Sequence, residues 1–86
     1  MTEPVSWILV EPGWSVETSD GKAVGTVHEV LADEEKDIFD GLAVSPGRLK
    51  RRRYVPAESV REITEGRIFL TIPADAFERL DELDQQ

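Results

Sequence analysis

Short runs of β-branched and aromatic residues alternate along the chain with turn-forming residues, at spacings of roughly ten positions. The turn signals are Pro12-Gly13, Asp20-Gly21, the acidic stretch from Asp33 to Asp37, Pro46-Gly47, Pro56 and Glu65-Gly66. Between them lie WSVET, AVGTVHEVLA, IFDGLAVS, RRRYVP, SVREIT and RIFLTI, each with the length and composition of a strand. Asp20-Gly21 and Glu65-Gly66 are placed as hairpin tips, because a glycine there allows the tight reversal that a short antiparallel connection needs.

Within IFDGLAVS, alternation puts Ile38, Leu42 and Val44 on one face and Phe39 and Ala43 on the other, so this strand is expected to be covered on both sides and central. From Ala23 to Leu31 the alternation breaks, with Val24 and Val30 on one parity and Val27 and Leu31 on the other. A β-bulge at Gly25 is the expected reconciliation. A small sheet with one covered face hides its edges by curling, and the predicted fold is mainly β: a small antiparallel, partly closed β-barrel of about six strands. After Ile72 the period changes, since PADAFERLDEL places Pro73 at a helix start, Asp75 in the first turn, and Ala76, Phe77, Leu80 and Leu83 at helical spacing. A short C-terminal helix should therefore cover one opening or flank of the barrel with Phe77, Leu80 and Leu83. The domain is expected to span residues 5–84, with 1–4 and 85–86 as flexible ends. SWILV, Ser6 to Val10, is apolar enough to pair as a further strand, and pairing with a second copy would give a homodimer.

An 86-residue chain supports one core, burying about 60 to 65% of the unfolded-chain surface. Cysteine is absent, which excludes disulfides, thiolate metal sites and a cysteine nucleophile and suits the cytoplasm. The longest apolar run is four residues, Trp7 to Val10, against roughly 20 for a membrane span. No span is expected. The formal net charge of -8 predicts repulsion from nucleic acid except through a local patch.

One such patch exists. Gly47 to Pro56 holds five of the ten basic residues, Arg48, Lys50, Arg51, Arg52 and Arg53. If this stretch is extended, Leu49, Arg51, Arg53 and Val55 point one way and Lys50, Arg52 and Tyr54 the other, which divides the charge between two faces. Arg48 to Arg53 are expected to decorate an exposed hairpin and pair with Asp33, Glu34, Glu35 and Asp37 in a neighbouring loop. The functional alternatives are a protein partner or RNA. Arg48, Lys50, Arg51, Arg52, Arg53, Tyr54 and Trp7 are the candidate partner-binding residues. No catalytic residue, metal site or cofactor is expected. His28, the sole histidine, reads as an exposed strand residue, no G-x-S-x-G pattern occurs, and the acidic turn lacks the ligand spacing and central glycine of a calcium loop. Trp7 and Trp14 flank Pro12-Gly13 as core or rim residues, or as partner anchors.

Two stretches, GWSVETSDGKAVGTVHEVLAD and RRRYVPAESVREITEGRIFLTI, resemble the PRC-barrel superfamily, in particular its small stand-alone bacterial members. The matching positions are Gly13, Asp20, Gly21, Val24, Gly25, Val27, Tyr54, Pro56, Val60 and Ile68, all fold-forming. The resemblance implies a non-enzymatic module acting through protein contacts, as do similar domains in the photosynthetic reaction-centre H subunit and at the end of a ribosome-maturation protein. This chain has no membrane helix like the first and no preceding RNA-factor domain like the second. A protein partner of the barrel surface is therefore the expected role, and an RNA- or ribosome-associated factor using the basic stretch 48–53 is the alternative.

Overall fold

All six apolar segments fold as strands where the pattern puts them: β1 (Ser15–Glu17), β2 (Ala23–Asp33), β3 (Ile38–Ser45), β4 (Arg52–Pro56), β5 (Val60–Thr64) and β6 (Arg67–Leu70). A seventh, β7 (Glu82–Leu83), forms in the stretch whose spacing is helical. The computed structural model describes residues 7–33, 35, 38–47 and 50–83. The expected flexible ends, 1–4 and 85–86, lie outside the described residues. The strands form one sheet in the order β5-β6-β1-β2-β3-β4-β7. The sheet is not purely antiparallel, because β1 runs parallel to β6 with Ser15 opposite Arg67 and Val16 opposite Ile68.

Curvature follows from the link between β4 and β5. These strands stand five spacings apart in the sheet order, about 24 Å if the sheet were flat. Only the 3-10 turn Ala57–Ser59 joins Pro56 to Val60, a reach of about 14 Å at most. The sheet must roll so that its edges approach. The hydrogen-bonded ladder nevertheless stays open, with β5 and β7 as its two ends.

The rolled sheet encloses Val16, Val27, Leu42, Val44, Val55, Ile68 and Leu70, with Val10 and Phe77 closing over them. Bulges keep the long strands facing this core. One extra residue at Val24 in β2, beside the predicted Gly25, lies opposite Val16 and Glu17. A second bulge at His28 restores Val30 to the same side as Val27, and a third at Asp40 in β3 does the reverse for Ile38. Phe39, not Ile38, consequently packs on the core beside Leu42, while Ile38 is 53% exposed. The expected pairing of Ile38 with Leu42 is corrected by that single inserted residue. Gly41 to Val44 are buried from both faces, as a central strand requires.

The C-terminal helix shortens to one turn, α1 (Ala74–Phe77), and Leu83 leaves the helix for β7, where it lies opposite Arg52. So short a helix has little stability of its own, and strand pairing claims the residues after it. Phe77 still seals the core and Leu80 packs against it. In the described part of SWILV, Trp7–Leu9 form a 3-10 turn instead of the expected strand, and Trp7 stacks on Phe39 with ring centroids 5.5 Å apart.

Two contacts lock this arrangement. Thr18 Oγ1 donates to Asp20 Oδ1, and the Ala74 amide reaches the same oxygen at 3.3 Å, tying the β1–β2 hairpin to α1. The Thr18 hydrogen bond is the main cause that holds the Asp20 carboxyl below its ordinary range. At Gly41, a Cβ would run into the Val55 carbonyl and meet the Tyr54 ring at 2.9 Å.

Gly41→Ala is expected to lower stability by about 1 to 3 kcal/mol through overpacking, whereas Gly47→Ala, with open space around it, should be neutral or stabilising by up to about 1 kcal/mol. Urea denaturation giving equal stabilities for Gly41→Ala and wild type would refute the close approach. The lowered pKa of Asp20 predicts stability that is present above about pH 4, the unfolded value, and is lost as pH falls through the native one. The stability difference between wild type and Asp20→Asn should accordingly shrink between pH 5 and pH 3; a difference independent of pH would contradict the linkage.

Candidate functional site

Strand β3 separates two chemically distinct ends of the molecule. It begins at Ile38, after the acidic turn in sequence, and ends at Ser45, before the basic stretch, so its own ends lie roughly 20 Å apart as an extended strand. The expected pairing of the arginines with Asp33, Glu34, Glu35 and Asp37 falls on a run whose side chains lie largely outside the described residues. Glu34 and Asp37 themselves, like Arg48 and Leu49, lie outside the described residues.

The arginines instead meet Glu82. Cross-strand register sets Arg53 opposite Glu82 and Arg52 opposite Leu83. Arg53 Nη2 stands 3.8 Å from one Glu82 oxygen and Arg51 Nε stands 3.9 Å from the other. Arg53 is the better fixed, with its side chain 20% exposed and Nη1 donating to the Leu80 carbonyl at 2.8 Å. Arg51, at 65%, is largely solvated, so its pair contributes about 0 to 1 kcal/mol.

Lys50, Arg51 and Arg53 line one cleft of about 590 Å³ together with Ala23, Val24, Pro46, Phe77, Glu78 and Glu82. Lys50 joins the two arginines because the chain bends before β4 begins at Arg52, so the strict alternation expected from Lys50 onward starts two residues later. Arg52 is not part of this lining. The basic stretch thus divides, but three cations converge where two were expected.

Tyr54 turns to the fold rather than to solvent. Its ring covers Gly41 and its hydroxyl donates to the Asp40 carbonyl at 3.1 Å. Burial, helped by the nearby Asp40 charge, raises the phenol above its ordinary pKa. Trp7 is similarly engaged, half-buried on Phe39. Trp14 is half-buried against the core and His28 is the exposed bulge residue of β2.

At the other end, Ile8 and Leu9 form an exposed apolar corner beside Trp7, and Ile38 is exposed on the face of β3 opposite Phe39. Ile8 is 61% and Leu9 59% exposed, and both adjoin Trp7, while Ile38 adjoins its stacking partner Phe39. Hydropathy alone hides both, because SWILV reads as a strand and Ile38 as core until the Asp40 bulge is known. Glu82 was equally invisible, since its place in a helical repeat assigned it to solvent.

Among the described residues, no three His, Asp or Glu side chains gather as metal ligands, and no helix is long and apolar enough to cross a membrane. The family model of the PRC-barrel domain matches residues 13–77. No curated protein matches the chain.

Arg53→Gln should destabilise by about 1 to 3 kcal/mol, because it removes a charge-assisted bond from the partly buried Leu80 carbonyl. Arg51→Gln should stay within about 0.5 kcal/mol of wild type. Thermal unfolding that ranks the two the other way would show that Glu82, not Leu80, holds this wall.

Proposed function

Since the chain belongs to the PRC-barrel family, whose domains are generally non-catalytic modules that mediate protein interactions, we propose that it docks on another protein through the exterior of its barrel. The apolar corner is the contact surface. The observation that carries this reading is the exposure of Ile8 and Leu9 side by side in the turn whose Trp7 stacks on Phe39, since scattered exposed hydrophobics need no explanation but adjacent ones favour a partner. The Trp7–Phe39 stack anchors the turn, and Ile8 and Leu9 present its apolar surface. The partner is a protein with a complementary apolar face. A second copy of the chain is a special case of the same chemistry. A cysteine-free composition supports a cytoplasmic location. The RNA alternative has weaker support, because the cations of the cleft stand among Glu78 and Glu82 and the Phe77 ring beside them is buried.

The test begins with cross-linking to identify the partner and continues with purified components. Ile8→Asp/Leu9→Asp should weaken the complex about tenfold or more, Lys50→Gln/Arg51→Gln should leave it intact, and the affinity should change little with salt. Unchanged binding by the Ile8/Leu9 variant would refute the assignment. So would tighter binding to RNA, with a log-log salt slope of about -3.5 to -4.5 for five phosphate contacts. Sedimentation of the protein alone distinguishes self-association, giving a particle of 9.7 kDa if the partner is a different protein.

A further inference from the structure

The cleft beside β4 brings together features that a surface ion pair does not require. Its volume of about 590 Å³ is in the range of ligand sites. Val24, Pro46 and Phe77 give it an apolar side, and Lys50, Arg51 and Arg53 converge on it from β4 and the bend before it. The Leu80 carbonyl fixes the Arg53 guanidinium in advance. Glu82 faces both arginines at 3.8 and 3.9 Å, well beyond the roughly 2.7 to 2.9 Å of a charge-assisted hydrogen bond. Its carboxylate therefore offsets their charge without forming the short forked bonds that guanidinium geometry favours.

We infer that this cleft binds an acidic side chain of a second partner protein, distinct from the one that docks at Ile8 and Leu9. An apolar neighbour of that side chain rests on Val24 and Pro46, and Glu82 competes with the acidic group for Arg51 and Arg53. A short acidic peptide suits the site better than nucleic acid. Glu78 and Glu82 stand among the cations, the net charge of -8 opposes an extended polyanion, and Phe77 is too buried to stack on a base. A compact carboxylate feels chiefly the local cations, because charges beyond about 8 to 10 Å are screened at physiological salt. This extends the docking reading to a second surface at the far end of β3. Its test reads the cleft alone, so either surface can fail without the other.

The experiment is a ¹⁵N chemical-shift titration of the full chain with a capped pentapeptide of alternating glutamate and leucine, its glutamine counterpart, inorganic phosphate and hexauridylate. The acidic peptide should shift the amides of Val24, Lys50, Arg51 and Arg53 saturably, and the glutamine peptide should not. Lys50→Gln/Arg51→Gln should weaken binding by about tenfold through loss of charge-assisted contacts. Glu82→Gln should tighten it, an effect that a merely structural Glu82 would not produce. Spectra unchanged away from the cleft verify that each variant is folded. The inference is overturned if the glutamine peptide binds as well, if Glu82→Gln weakens binding, or if the acidic peptide never saturates. Phosphate matching the peptide would reduce the cleft to an unspecific anion site, and tighter binding of hexauridylate would reassign it to nucleic acid; both outcomes refute the peptide assignment.

Discussion

The short link from Pro56 to Val60 is the constraint on which the architecture rests. Three residues of 3-10 turn cannot bridge a flat sheet between its second-last strand and its opposite edge, so the sheet has to roll. Rolling creates the interior that Val16, Val27, Leu42, Val44, Val55, Ile68 and Leu70 fill. It also brings α1 and β7 to the flank of β4, which is why Phe77 can seal the core and Glu82 can face Arg53.

Much of this was legible in the sequence because it depends on local chemistry. Strand positions followed from runs of β-branched residues, and the hairpin tips from Asp20-Gly21 and Glu65-Gly66. The barrel followed from a chain too small to leave its edges flat. Three features were not legible, for one shared reason. The bulges at His28 and Asp40, the parallel pairing of β1 with β6, and the diversion of Leu83 into β7 are each settled by a partner strand distant in sequence. Alternation counted along one strand has no access to the register of the next. The misplacement of Ile38 is the clearest case, since one inserted residue exchanged its side with that of Phe39.

The same logic applies to the sites. Arg51, Arg53 and Lys50 were identifiable as cations, but their counter-charge was sought in the nearest acidic run rather than in Glu82. The register of β4 against β7, not proximity in sequence, sets the pair of Arg53 with Glu82. Trp7 and Tyr54 were recognisable as prominent aromatics, yet each is largely occupied within the fold, by Phe39 and by Gly41 respectively. What Trp7 leaves exposed is its neighbours, Ile8 and Leu9.

The parallel alignment of Ser15 with Arg67 has a kinetic corollary. An antiparallel ribbon such as β2–β3 can zip from its own turn, but β1 meets β6 only across the intervening strands β2 to β5, and the entropy of closing so large a loop delays such contacts. During synthesis the amino-terminal strand must therefore wait, paired on one side alone, until the ribosome has released β6. Completion of the barrel is thus postponed until β6 is available, and the central ribbons are left to carry the early stages of folding.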